Sequence, residues 1–274
     1  MKNKKLLLSS IAAFIFCGCA VTTPEPAAKP AAKPAAKPAA KPAAKPAAKP
    51  AVKPAVSLKK AIRNATTPRL HKRHIKRHAE KKAYAAAHKD SIKILMLGDS
   101  ITHQWEYPAG KEAHAKYIAP YPVLNLGCGG DRTQNTIWIV EKSGILELIN
   151  PKLVTLMIGT NNRGDYRATV AGIKRILDSV RKHYPKATIL LYAIFPRGVD
   201  KNNPLRINNE KVNAEIVKFC NGKDIIWVDI RQNFLTPEGI LEKSIMPDRL
   251  HPRHLKGYSI WGESLKPYFE KFSK

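Results

Sequence analysis

Four short polar blocks, far apart in the chain, hold residue types that together could carry out acyl transfer. They are Gly98-Asp99-Ser100, Gly127-Cys128-Gly129-Gly130-Asp131, Gly159-Thr160-Asn161-Asn162 and Asp248-Arg249-Leu250-His251. A serine hydroxyl is a poor nucleophile until a base takes its proton, and a neutral imidazole suits that work near neutral pH. The imidazole must in turn be held in one tautomer by a carboxylate. A single turn of loop can bring Asp248 and His251 together. Acyl transfer also needs donors aimed at the developing oxyanion, and backbone amides beside glycine or an Asn carboxamide can supply them. Each block alone has a plainer reading. Gly98-Asp99-Ser100 is a turn with a helix cap, Gly127 to Gly130 a tight connection, Asn161 and Asn162 caps for a following helix, and Asp248 a surface acid. Asp99 and Asp131 are expected to order their own loops by accepting backbone amides.

Other chemistries are not supported. The glycines from Gly127 miss the dinucleotide fingerprint because Arg132 stands at its last glycine position. There is no G-x-S-x-G elbow, H-E-x-x-H or P-loop, so no metal, nucleotide or other cofactor is expected.

The blocks need a frame that brings them to one place. After Asp90, apolar β-branched runs at Ile92–Leu97, Val123–Leu126, Leu153–Ile158, Ile189–Ile194 and Ile225–Ile230 read as strands. Amphipathic stretches of helical length lie between them, at Thr133–Ile149, Tyr166–His183 and Arg206–Phe219. This alternation predicts a parallel sheet with helices on both faces. Ligands of such sheets bind at the carboxyl ends of the strands. The first three blocks directly follow the first three strands and the fourth follows the fifth on a longer loop, so all four should open onto one rim.

In order and placement these blocks resemble those of the SGNH or GDSL hydrolases, across essentially all of residues 91 to 274. Within that family the likeness extends to the catalytic subunits of intracellular platelet-activating-factor acetylhydrolase. It is carried by Asn125-Leu126-Gly127-Cys128-Gly129-Gly130-Asp131, by Gly159-Thr160-Asn161-Asn162, and by Pro196-Arg197-Gly198 followed by Asn203-Pro204-Leu205-Arg206. The resemblance implies a flavodoxin-like α/β/α sandwich with a five-stranded parallel sheet. It implies Ser100 as nucleophile, His251 as base and Asp248 as its orienting acid. It also implies an oxyanion hole of the Ser100 and Gly130 amides and the Asn161 side chain. His254, three residues beyond His251, is the one rival base and reads as a loop residue supporting the site. Ile101 follows the serine where the family often has Leu, and Asn162 follows Asn161 where Asp is common.

The first third of the chain is different in kind. The whole sequence of 274 residues has a net charge of +27. Residues 1 to 90 hold 21 Lys plus Arg against 3 acids, and the remaining residues hold 27 against 18. Residues 1–19 read as a lipoprotein-type signal: Lys2, Lys4 and Lys5, an apolar core from Leu6 to Phe16, then Gly18 before Cys19, the expected lipidation site. The apolar run is too short to span a bilayer. Residues 20–56 form a linker in which Ala-Ala-Lys-Pro, with one Val variant, repeats seven times. Proline at every fourth place excludes helix and sheet, leaving an extended spacer. Residues 57–89 form a basic segment, expected as a charged, solvated helix outside a hydrolase domain of residues 90–274. His71, His74 and His78 would share a helix face, but no carboxylate or Cys joins them at ligand spacing, so they are not expected to bind a metal. Once Cys17 is removed and Cys19 lipidated, only Cys128 and Cys220 remain, expected unpaired.

The expected function is therefore a serine esterase acting on short acyl esters, chiefly O-acetyl groups on envelope or extracellular carbohydrate. It would be exported and lipid-anchored in the cell envelope, at the outer membrane in a two-membrane bacterium. Alternatives are a phospholipid, lysophospholipid or platelet-activating-factor-like acetylhydrolase, and a non-catalytic lipoprotein that binds an anionic polymer through its basic arm. Nucleic acid is not an expected partner, because the basic arm follows an export signal.

Overall fold

The computed structural model describes residues 57–274, and the signal, Cys19 and the repeat linker lie outside the described residues. The described chain runs α1 (Leu58–Thr66), α2 (Ile75–Ala87), β1 (Ile94–Gly98), α3 (Ser100–His103), α4 (Lys111–Tyr117), β2 (Val123–Asn125) and α5 (Thr133–Lys142). It continues β3 (Leu153–Met157), α6 (Tyr166–His183), β4 (Thr188–Tyr192), α7 (Pro204–Ile216), β5 (Ile225–Val228) and α8 (His254–Phe272).

The five strands form one parallel sheet in the order β2-β1-β3-β4-β5, the flavodoxin-like arrangement. Register is regular, with Leu95 beside Leu124 on one side and Val154 on the other. Both faces of the sheet are buried, which explains why the strands read as unbroken apolar runs. Alternate residues go to opposite sides. Leu95, Leu97, Val154, Leu156 and Ile189 pack with Ile137 of α5, Ile173 of α6 and Val212 of α7. Ile94, Met96, Met157, Leu190 and Tyr192 pack with Tyr117 of α4, Trp261 and Leu265 of α8, and Trp105. The second face is rich in aromatics, and Trp105, Tyr192 and Phe195 all lie against Trp261.

The sandwich, sheet and principal helices match those expected, with some ends shifted by a few residues. The helix expected over Thr133–Ile149 stops at Lys142. There Ser143 bonds back to the Ile139 carbonyl at 2.6 Å and accepts the Ile145 amide at 3.1 Å, turning the chain. Cys128 and Cys220 are both free thiols, and burial pushes the Cys128 thiol up to about 12.

The basic segment differs from expectation, because it is folded onto the domain. α1 packs on α5 and α6. Thr133 Oγ1 donates to the Ala65 carbonyl at 2.8 Å, the Arg69 amide donates to Gln134 O at 2.9 Å, and Asn135 Nδ2 donates to Arg69 O at 2.9 Å. On α1, Leu58, Ala61, Ile62 and Ala65 recur at helical spacing and turn towards the domain, and the polar bonds to the start of α5 add to that packing.

α5 and α6 touch where Gly172 meets Thr133. A Cβ on Gly172 would lie 2.4 Å from Thr133 Oγ1 and 2.5 Å from Thr133 Cβ. Gly172→Ala is therefore expected to destabilise the fold by about 1–3 kcal/mol, through overpacking at the residue that also holds α1. Urea unfolding monitored by tryptophan fluorescence measures this, and an unchanged midpoint would contradict the packing described.

Candidate functional site

Ser100 begins α3 directly beyond the carboxyl end of β1. Asp99 caps that helix, its Oδ1 accepting the Ile101 amide at 3.0 Å. His251 comes from the loop between β5 and α8. Its Nε2 lies 2.8 Å from Ser100 Oγ, and its Nδ1 lies 2.6 Å from Asp248 Oδ2. The other carboxylate oxygen of Asp248 accepts the amides of Leu250 at 3.1 Å and His251 at 2.8 Å. Arg249 between them adopts φ 55°, a left-handed conformation costly for a non-glycine residue, and this closes the turn. Burial works against charge on Asp248, but its hydrogen bonds from the His251 ring and backbone outweigh that, holding the carboxyl below its usual range. A carboxylate facing Nδ1 keeps the ring proton there and leaves the Nε2 lone pair for the serine hydroxyl. Tyr258 of α8 ties the two loops together, its hydroxyl donating to Ile101 O at 3.1 Å. His254 is exposed, at φ 55°, and makes no side-chain bond to Ser100 or Asp248.

Gly130 and Asn161 lie across from this chain of bonds. Both line an open cleft of about 390 Å³ together with Ser100 and His251. Gly130 has φ +80°, which a side chain would strain, and its exposed position leaves the backbone approachable. Asn161 donates one amide hydrogen to the Asp131 carbonyl at 3.0 Å. A carboxamide has two such hydrogens, so the second remains for a ligand. Asn162, by contrast, caps a helix, though α5 and not the one that follows it: its Oδ1 accepts the Thr133 amide at 2.9 Å. The turn carrying Asn161 is braced from below. Arg197 donates to Thr160 O at 2.9 Å, Arg206 donates to Arg197 O at 2.9 Å, and Asn203 caps α7. The Pro196–Gly198 and Asn203–Arg206 residues are thus supports of the site.

The segment leading into α2, expected as a solvated helix, forms one wall of the site. Arg77 donates to Gly127 O at 2.9 Å and Asn125 O at 3.1 Å, and His74 Nε2 donates to Gly129 O at 2.8 Å. Arg73 Nε donates to His71 Nε2 at 3.3 Å, which places the ring proton on Nδ1, where it meets Asp131 Oδ1 at 2.7 Å. Asp131 is therefore ordered by an imidazole and not by a backbone amide. On the far side of the loop, His103 Nδ1 accepts the Gly129 amide at 3.1 Å. That bond requires a neutral ring, and burial, reinforced by Arg77, pushes His103 down to about 4. Below the loop, burial pushes the Asp99 carboxyl up to about 7, and burial together with Asp99 raises Asp131. Burial, then His74, Arg73 and Arg132, lower His71, so the His71–Asp131 pair favours its neutral form. The glycine loop is clasped at nearly every carbonyl.

His71 and His74 do meet a carboxylate after all, Asp131, with ligand atoms within 4.8 Å of one another. His78 turns away onto Trp138, 5.1 Å between ring centroids. The two remaining imidazoles are engaged by the loop, and Arg73, Arg77 and Arg132 crowd the same region, so the cluster suits fastening better than holding a cation. The signal for the clasp was the run His71, Arg73, His74, Arg77, but charge and exposure gave it the look of a solvated face.

Residues 96–258 match the sequence pattern that defines the GDSL-like lipase/acylhydrolase family. The chain belongs to that family. Among its relatives, the platelet-activating factor acetylhydrolase IB subunit alpha1 of Bos taurus is 34% identical over 172 residues, spanning 61% of this chain and 70% of that protein. The chain is also similar in structure to a GDSL-like lipase from Bacteroides thetaiotaomicron, with TM-score 0.57 and 20% identity over 71% of this chain and 98% of the other. An acetylxylan esterase from Geobacillus stearothermophilus has TM-score 0.50 and 18% identity over 65% and 93% of the two chains. Membership of the GDSL-like family makes the protein a hydrolase of acyl esters.

The clasp makes residues 57–89 part of this GDSL-like domain. A chain starting at Ser57 is expected to keep the melting temperature of the domain and its turnover of a small ester. A chain starting at Asp90 is expected to melt earlier and to lose at least about tenfold in turnover, since the Asn125 and Gly127 carbonyls lose Arg77 and the Gly129 carbonyl loses His74, bonds worth ~1–3 kcal/mol each. Thermal melts and ester assays of the two chains decide this, and equal behaviour would show that the clasp is dispensable.

Proposed function

We propose that the protein is a serine esterase that removes short acyl groups, chiefly O-acetyl, from carbohydrate by way of an acyl-enzyme on Ser100. The observation that carries this is the unbroken hydrogen-bond chain Ser100–His251–Asp248 beside Gly130 and Asn161. His251 takes the hydroxyl proton through Nε2 as Ser100 Oγ attacks the ester carbonyl, and Asp248 stabilises the imidazolium that results. The carbonyl oxygen becomes an oxyanion facing the amides of Ser100 and Gly130 and the Asn161 carboxamide. Collapse breaks the bond to the alcohol, which leaves with the proton from His251. Water then attacks the acyl-serine by the same path, releasing the acid and restoring the hydroxyl. The cleft is open and has polar groups of Gln104, Tyr107 and Asn161 along it, which suits a sugar; an acetyl group needs little room.

A phospholipid-type acetyl ester is the second reading. A larger cleft of about 750 Å³ lies on the other side of Tyr107, with Tyr84, Trp105, Ile118 and Tyr121 along it, and could take an alkyl chain. The resemblance to an acetylhydrolase whose name refers to platelet-activating factor also favours it. Place of action belongs to the proposal too. Among the described residues no helix is long and apolar enough to cross a membrane, and attachment to the envelope would rest on a lipid at Cys19.

Ser100→Ala and His251→Ala should each lower kcat by roughly 10⁴-fold at matched folding, while Asn161→Ala should cost about 10²-fold to 10³-fold because two amide donors remain. p-Nitrophenyl esters of increasing chain length give the readout. Acetate is expected to be preferred; a rise towards long chains would favour lipid, and a folded Ser100→Ala with near-normal activity would end the proposal. Separately, cells expressing the full chain should incorporate labelled palmitate, and Cys19→Ser should abolish it. Undiminished label in that variant would contradict the anchor.

A further inference from the structure

The oxyanion side of the cleft is strongly and unevenly charged. Arg73 is exposed, and its Nη2 lies 3.1 Å from the position a Cβ on Gly130 would occupy, directly over the loop that offers the Gly130 amide. It lines the same cleft as Ser100 and His251. Its one side-chain bond, among the described residues, is to His71, and no carboxylate pairs with it. The nearby acids are taken. Asp131 is buried and bonded to His71, Glu106 holds Arg77 and Lys81 at 2.7 Å each, and Asp248 holds His251. Two more arginines, Arg132 beyond the glycine loop and Arg163 beyond Asn161-Asn162, line an adjoining cleft of about 360 Å³. Neither forms an ion pair among the described residues. A guanidinium left unpaired at the mouth of a binding cleft is a ready partner for a planar or tetrahedral anion.

The family chemistry itself does not call for this charge. The ester carbonyl is neutral before attack, and the oxyanion already has three donors. An acetyl group has no room for a charged substituent, which leaves the alcohol half of the substrate to supply the anion.

Resting on the esterase reading above, we propose that Arg73 forms an anion subsite, and that the preferred substrates are acyl esters bearing a carboxylate or phosphate on the alcohol close to the scissile bond. Arg132 and Arg163 extend the same positive edge and draw the charged portion towards the oxyanion side. The subsite acts by selecting and orienting the ester, so it changes KM more than kcat.

The acetyl esters of 4-hydroxybenzamide, 4-hydroxybenzoate and 4-hydroxyphenyl phosphate test this, because they offer the same acyl group with neutral, carboxylate and phosphate leaving alcohols. The full-length protein is expected to prefer one or both anions over the amide by about tenfold or more in kcat/KM, the size of a charge-assisted contact in a half-open site, mainly through KM. Preference for the carboxylate points to an acidic sugar, and preference for the phosphate to a phosphorylated alcohol. Arg73→Gln should bring the ratio close to one, Arg73→Lys should keep part of it and Arg73→Glu should invert it. Lys76→Gln, an exposed charge three residues further on in α2, should leave the ratio as it was. A ratio of one in the wild type overturns the subsite. So does an equal loss on all three esters in Arg73→Gln, which would make Arg73 a support for the clasp or the oxyanion. In both cases loss of benzamide-ester hydrolysis in Ser100→Ala would leave the esterase reading standing. If the wild type hydrolyses none of the three, both readings fall.

Discussion

The bond of 2.8 Å between His251 Nε2 and Ser100 Oγ joins residues 151 positions apart, and much of the architecture exists to make that distance short. Ser100 is fixed by the end of β1 and the Asp99 cap, while His251 hangs on the long loop that runs from β5 into α8. The parallel sheet solves the first part of the problem by turning every strand end to one rim. The aromatic layer solves the second. Trp105 and Trp261, with ring centroids 5.5 Å apart, lock the segment after Ser100 to α8, and Tyr258 reaches from α8 to the Ile101 carbonyl. Substitutions in this layer would therefore disturb the site without touching it.

A second constraint is imposed by the glycine loop. A stretch with so few side chains cannot pack itself into a fixed shape, and its carbonyls need partners once they are covered. The strap from His71 to Arg77 supplies those partners, and its Arg77 is paired in turn with Glu106 from the segment after α3. The bond from Asn161 to the Asp131 carbonyl then couples Asn161 to the loop that offers the Gly130 amide, two of the three proposed oxyanion donors. A polar clasp sets geometry closely but contributes little net stability, because each donor gives up water to make its bond.

Strands with both faces buried announce themselves as continuous apolar runs, so the sheet, its order of elements and the rim were legible in the sequence. The Asp248–His251 turn was legible as well, since three residues is the reach of one loop turn. His71, Arg73, His74 and Arg77 were not. Arg77 and His74 bond the backbone carbonyls of Asn125, Gly127 and Gly129, which leave no trace in side-chain patterning, and His71 meets Asp131 from a segment 60 residues away, so basic residues facing the loop look the same as ones facing water. The spacing of His71, His74 and His78 suggested one face, yet α2 starts only at Ile75, so His71 and His74 enter from a bend and His78 points to Trp138. Arg197 and Arg206 were visible only through family likeness, and the structure gives them a physical task beneath Asn161.

The central claim is that Ser100 is a nucleophile made reactive by His251. An alkyl fluorophosphonate, which reacts with a hydroxyl only where a base and an oxyanion site are assembled, tests it directly. Intact mass and peptide mapping of the treated full-length protein should show one adduct, on the peptide containing Ser100, and His251→Ala should fail to form it. No adduct, or an adduct on a different serine, would contradict the account.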